Sequence, residues 1–201
     1  TVVGVGREDG KTAGEYAPIF FKQAKYTLLD QNTFWLCEKP DSVGMVGWDA
    51  ALTRIATWVK LQDKKTGQIL MVVNTHFDHI GTEARRNSAL LIIEKIKEIV
   101  GTSPAILTGD FNVSEDWDAY KTITNNEFIL KDAHKVAGKR TGVDFTYHNF
   151  GKIPAEKCEK IDFIFVTPQI RVISSYIPFS QLNDTLFLSD HNPEIVELEI
   201  K

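Results

Sequence analysis

The chain has 201 residues, 43% of them apolar and 25% charged, enough for one domain with a sizeable core. Its formal charge of -4 and pI near 5.7 argue against a protein that coats nucleic acid by electrostatics alone. No apolar run approaches the ~20 residues of a membrane-spanning helix, so stable membrane insertion is not expected.

The sequence opens Thr1-Val2-Val3-Gly4 inside a strand-like run, with neither an initiator Met nor a signal peptide. It reads as a processed or truncated product, which leaves the compartment undetermined. Residues 53–61 ("TRIATWVKL") and 69–75 ("ILMVVNT") are rich in β-branched and aromatic side chains. The polar stretch between them carries Gly67, so they predict a β-hairpin. Ala89, Ile92, Ile93, Ile96 and Val100 recur with helical spacing; they predict a helix capped by Thr82 and stopped by Gly101. A short buried strand at 104–108 comes next, then a second helix start at Ser114, with Glu115 and Asp116 at its positive end. Further strands are predicted at 143–148, 161–166, 170–177 and 194–200, the last alternating cleanly. Helices interspersed with many strands predict a layered α/β or α+β sandwich with mixed sheets, in one domain over 1–201. Cys37 and Cys158 are too few for a disulfide framework; both suit buried thiols, and one bridge between them stays open.

Four places share one pattern, an apolar strand that ends or is interrupted at metal-type or acid–base residues. "VVNTHFDH" carries His76, Asp78 and His79, and "LTGDFN" carries Asp110 and Asn112. "KIDFIFV" buries Asp162 in an apolar run, and "FLSDHNP" carries Asp190 and His191. Singly, such an Asp is most often a turn residue and such a His a surface one. Asp162 is different, because a carboxylate beside Ile164 in a strand needs a partner; His191 is a candidate. Asp110 and Asn112, two apart, would share one side of an extended chain. The set holds carboxylates and imidazoles without cysteine, which favours a hard ion, Mg²⁺ or Mn²⁺. Arg7, Glu15 and Arg54 are candidates to line a cleft, Trp48 a candidate stacking platform, and His79 and His148 candidates to border the site.

The order "NTHFDH…AR", "ILTGDFN", "KIDFIFV", "LSDHNP", with the opening "VGVGREDGKTAGEYAPIFF", resembles the bacterial branch of the endonuclease/exonuclease/phosphatase superfamily. The resemblance runs essentially the whole chain and implies a four-layer α/β/β/α sandwich with its site at one edge of the packed sheets. It also implies Mg²⁺-dependent hydrolysis of a phosphate ester, a phosphodiester or a phosphomonoester, by direct attack of water. By the same resemblance Asp110 activates or orients the water, and Asn112 and His76 hold the phosphate. Asp162 fixes His191, which stabilises the transition state, and Asp190 is a metal-site carboxylate. Arg54, Trp48 and His148 are the expected substrate-binding residues. The substrate is expected to be a phosphorylated small molecule, a lipid headgroup or a nucleic acid. Family members carry an Asn and a metal-binding Glu upstream of the segment like "VGVG". Glu8, Asp9 and Glu15 match the family's stretch downstream of that Glu, so the fold is expected to be N-terminally incomplete, without its first strand and helix. The competing reading is a catalytically inactive phosphate-binding module that kept the fold.

Overall fold

The two β-branched runs pair as the predicted hairpin, with Trp58 opposite Val73 and Gly67 turning the chain at φ 75°. In this computed structural model residues 1–101, 103–125, 130–183 and 186–200 are described. The first half holds β1 (Val2–Val3), β2 (Ile19–Phe20), β3 (Tyr26–Trp35), β4 (Ile55–Asp63), β5 (Ile69–His76), α1 (Thr82–Val100) and β6 (Ala105–Asp110). Then come α2 (Asp118–Thr124), β7 (Lys131–Asp132), α3 (Ala133–Val136), β8 (Lys139–Gly142) and β9 (Asp162–Val166). The chain ends with β10 (Ile170–Ile177), β11 (Gln181–Asn183), β12 (Leu186–Phe187) and β13 (Ile195–Ile200).

Six strands form one sheet in the order β3-β4-β5-β6-β9-β7, and three form a second in the order β13-β10-β8. The apolar stripe of α1, with Ala89, Ile92 and Ile96, packs with Ile123 of α2 on Val73, Leu107 and Phe163 of the large sheet. On that sheet's other face, Leu70, Ile106 and Val166 meet Ile170 and Val172 of the small sheet, with Val196 and Leu198 packed alongside. The layers therefore run helix, sheet, sheet, matching the first three layers of the expected α/β/β/α sandwich. On the outer face of the third, Arg171, Ile173 and Tyr176 are exposed.

Three local expectations fail for tertiary reasons. Thr82 does not cap α1: Gly81 holds that position, and the Asp49 carboxylate accepts from Glu83 N and from Ala84 N at 2.7 Å. Ser114 does not open a helix either; its carbonyl closes a turn with Trp117 N, and α2 starts at Asp118. Residues 143–148 form no strand, only isolated bridges from Tyr147 to Glu159 and His191. Thr146 explains this. Its buried hydroxyl accepts from both Ile161 N and Asp162 N at 3.0 Å, so the segment folds as a staple over the start of β9. Cys37 and Cys158 are separate free thiols.

Candidate active site

Each of three neighbouring strands delivers one polar residue followed by one buried phenylalanine: His76-Phe77, Asp110-Phe111 and Asp162-Phe163. The phenylalanines are 0%, 0% and 1% exposed, and their rings meet edge-on, Phe77 to Phe111 at 4.9 Å and Phe111 to Phe163 at 6.0 Å. Side chains alternate across a strand, so each Phe locked on the helix side sends its polar predecessor to the other face. Burying each ring contributes roughly 1.5–3 kcal/mol, which fixes the register as well as the fold. That register sets His76 opposite Asp110 across the parallel β5–β6 pair, and Asp110 opposite Asp162 across the antiparallel β6–β9 pair. Gly109 permits the row, since a Cβ there would lie 2.2 Å from Thr75 O.

His191 closes the row from the segment leading into β13, its Nδ1 at 2.7 Å from Asp162 Oδ2. His76 Nε2 lies 3.4 Å from Asp110 Oδ2, and His76 Nδ1 lies 3.1 Å from Glu15 Oε1. Glu15 in turn takes Arg7 Nη1 at 2.7 Å. A cleft of about 430 Å³ runs along this face, lined by His76, Asp110, Asp162, Asn74, Tyr16 and Glu194, among others.

The electrostatics are uneven along the row. Burial, reinforced by the charge of Asp162, pushes Asp110 up to about 6. His191 is lowered by burial, but its hydrogen bond to Asp162 and the surrounding carboxylates outweigh that and raise it above its ordinary value. His76 is lowered by burial and then by the Arg54 charge, with Glu15 opposing both. Asp110, Asp162 and His191 each offer a ligand atom within 4.8 Å of the others. Two carboxylates this close, one of them buried and raised, suit a hard divalent cation that would relieve their repulsion.

Asn112 is not on an extended chain beside Asp110: β6 ends at Asp110, and Asn112 adopts φ 50°, a region Asn tolerates. Its N–H donates to Asp110 Oδ1 at 2.9 Å and its amide to Phe77 O at 3.0 Å, which leaves one N–H and the amide oxygen for a ligand. Asp190 comes after Ser189, whose hydroxyl it accepts at 3.3 Å, and it lies outside the three-residue donor cluster. Arg54 is 4% exposed beside His76; its Nε reaches Asp78 Oδ1 at 3.4 Å and its Nη2 reaches His79 Nδ1 at 3.1 Å. Its Nη1 is buried without a hydrogen bond among the described residues.

Trp48 is not brought to the row. It packs against the helical core and lines a groove with Leu90 and Leu91 of α1. His148 is buried behind the row, its Nδ1 accepting from Gly151 N and its ring packed between Phe179 and Phe187. Asp78 is a structural anchor: its carboxylate accepts from the backbone N–H groups of Ala51, Leu52, Ile80 and Gly81. Sequence reasoning undervalued Glu15, which no local pattern connects to His76 across 61 positions.

The sequence matches the Endonuclease/Exonuclease/phosphatase family over residues 14–191. An endonuclease/exonuclease/phosphatase from Bacteroides vulgatus superposes with a TM-score of 0.97 at 64% identity, over 100% of this chain and 76% of that one. A mannosyl-6-phosphatase of Bacteroides thetaiotaomicron superposes with a TM-score of 0.92 at 36% identity, over 100% of this chain and 77% of that one. An uncharacterized protein of Acanthamoeba polyphaga mimivirus is 30% identical over 175 residues, 82% of this chain. The match spans 63% of the length of that curated relative. With 178 of its 201 residues inside the family match (14 to 191), the chain belongs to the Endonuclease/Exonuclease/phosphatase family.

Proposed function

We propose that the protein hydrolyses a phosphate ester by direct attack of water, on a small phosphorylated substrate of the sugar-phosphate class. The row His76–Asp110–Asp162, closed by His191 at 2.7 Å from Asp162, is the observation that carries this reading. Asp110 orients the attacking water and accepts its proton. Asp162 holds the His191 imidazole by Nδ1, which turns Nε2 toward the charge that builds on the phosphorus oxygens. His76, its Nδ1 held by Glu15, turns Nε2 to the phosphate, whose negative charge favours the imidazolium form that donates to a second oxygen, and Asn112 and Arg54 hold the ester in line with the water. A hard cation, Mg²⁺ or Mn²⁺, would be held by Asp110 and Asp162 of the donor cluster; when bound it supplies neutralisation of phosphate charge. The likeness to a mannosyl-6-phosphatase at 36% identity favours a phosphomonoester of a sugar over a nucleic acid, and the acidic charge balance agrees.

The test is a turnover assay on mannose 6-phosphate, p-nitrophenyl phosphate and bis-p-nitrophenyl phosphate, with Mg²⁺ and with EDTA. Metal-dependent release of phosphate from the monoesters is expected, and Asp110→Ala is expected to abolish it. Binding of inorganic phosphate with no turnover on any ester would instead support the inactive binding module.

A further inference from the structure

Asp162 opens β9 of the large sheet, and His191 lies in the segment that leads into β13 of the small one. Their 2.7 Å contact therefore depends on how the two sheets are held at this edge. One buried ion pair crosses between the same two segments. Lys160, two residues before Asp162, places Nζ 2.9 Å from Oε2 of Glu194, three residues after His191. The side chains are 7% and 3% exposed. The lysine also donates to the carbonyl oxygen of Asp162 itself at 2.8 Å, and its ammonium sits 3.9 Å from the centre of the Phe163 ring. Glu194 accepts in addition from Ser175 Oγ at 3.2 Å, which joins it to β10.

We propose that Lys160 and Glu194 are positioning residues that set the Asp162–His191 contact, a role that rests on the phosphoesterase reading above. The arrangement is poorly explained as a stabilising device. Desolvating two charges is costly, and apolar replacements of buried pairs are often neutral or better for stability. What the charges supply is a tether: the ammonium hydrogen-bonds the Asp162 carbonyl, and Glu194 Oε2, buried without a hydrogen bond among the described residues, is held against it by charge. An ammonium fixed between the Asp162 carbonyl and the Glu194 carboxylate ties the backbone of the acid to the strand that carries the imidazole. An apolar pair of equal volume would fill the space without fixing the distance. Misplacement of a catalytic group by about 1 Å costs on the order of 100-fold in rate.

The double variant Lys160→Met/Glu194→Leu separates positioning from folding. Turnover of p-nitrophenyl phosphate with Mg²⁺, thermal unfolding, and the downfield proton resonance of His191 Nδ1–H in its bond to Asp162 are measured on parent and variant. The expected result is a variant as stable as the parent, with kcat down at least tenfold, KM within twofold, and the downfield resonance shifted or lost. A variant whose kcat and resonance both match the parent's overturns the proposal. Should the parent turn over no ester, the phosphoesterase reading fails separately and the resonance alone decides: lost in the variant it supports positioning, and unchanged it refutes it. If the double variant does not fold, Glu194→Gln takes its place with the same readouts, kcat being taken per folded molecule.

Discussion

Glu15 and His76, 61 positions apart in the chain, meet at 3.1 Å, and Glu15 is held there by Arg7 at 2.7 Å. The loop that carries both Arg7 and Glu15 is tied back on itself by Arg7 N to Glu15 O at 3.1 Å and pinned by Trp35 Nε1 donating to Arg7 O at 2.6 Å. A carboxylate accepting at Nδ1 leaves Nε2 to face Asp110 and the cleft, so Glu15 determines which nitrogen of His76 works on a ligand. Hydrogen bonds to charged groups contribute about 1.5–3 kcal/mol, so Glu15→Gln is expected to lower kcat/KM roughly tenfold to a hundredfold. Glu15 is half-exposed, so the melting temperature should barely move. A variant with full activity would remove Glu15 from the site.

Asp110 offers a sharper test, because activity and stability should change in opposite directions. Its pKa, raised to about 6 by burial and by Asp162, means that the folded protein disfavours the charged form. The destabilisation is absent below the ordinary carboxylate range, grows as pH rises from about 4 to 6, and is constant above that. Asp110→Asn removes it while keeping an acceptor for Asn112 N. In EDTA the variant is therefore expected to be more stable than the parent at pH 8, by at most about 3 kcal/mol at ~1.4 kcal/mol per pH unit. At pH 4 the two should unfold alike. Phosphatase activity should disappear in the same variant. Equal stability at pH 8, measured by urea unfolding, would show that Asp110 is not held as a buried carboxylate.

The parts of this fold that were legible in the sequence are those that leave a local apolar run or period. β4 and β6 are compact apolar runs, α1 over 82–100 repeats at 3.6, and β5, β9, β10 and β13 largely alternate, and each lies within two residues of the predicted bounds. β3 was not legible. Its residues 26–33 are mostly exposed, and only Tyr26 and Leu28 pack on a core cluster, too few to set a period. β8 is exposed throughout and forms only because β10 offers it a parallel edge. The helix starts were misread for a related reason: Asp49, 35 positions from Ala84, does the work assigned to Thr82. In the site, motif spacing pointed to His76, Asp110, Asp162 and His191. The parts supplied from elsewhere in the chain, Glu15 behind His76 and Lys160 with Glu194 beneath Asp162, leave no local signature. Trp48 shows the converse, a residue type that suits ligands but here packs on a helix.

If Arg54 holds phosphate as proposed, its geometry makes lysine a poor substitute. Nε and Nη2 are committed to Asp78 and His79, while Nη1 remains without a hydrogen bond among the described residues. A lysine has one point of charge and cannot serve Asp78, His79 and a phosphate oxygen together. Arg54→Lys is expected to weaken competitive inhibition by inorganic phosphate about tenfold, with kcat reduced less than KM is raised. Unchanged inhibition would place the phosphate elsewhere in the cleft.

Asp78 should govern acid stability rather than catalysis. Burial opposes its charge, yet the N–H groups of Gly81, Ala51, Ile80 and Leu52 outweigh that and hold the carboxyl well below its usual range. A depressed carboxylate contributes stability that is fully present above its ordinary value, and the contribution is lost as pH falls below about 4 toward the folded value. Asp78→Asn turns an N–H donor toward donors in either amide orientation, at the least toward Leu52 N and Arg54 Nε at the Oδ1 position, and it leaves Arg54 without its buried counter-charge. The expected cost at pH 7 is about 3 kcal/mol, the scale for breaking a buried pair from one side. In urea unfolding at pH 7, 4 and 2.5, the gap between parent and variant should be nearly the same at pH 7 and 4 and clearly narrower at pH 2.5. A gap independent of pH would mean that the Asp78 charge does not hold the loop at residues 47–53 to the start of α1.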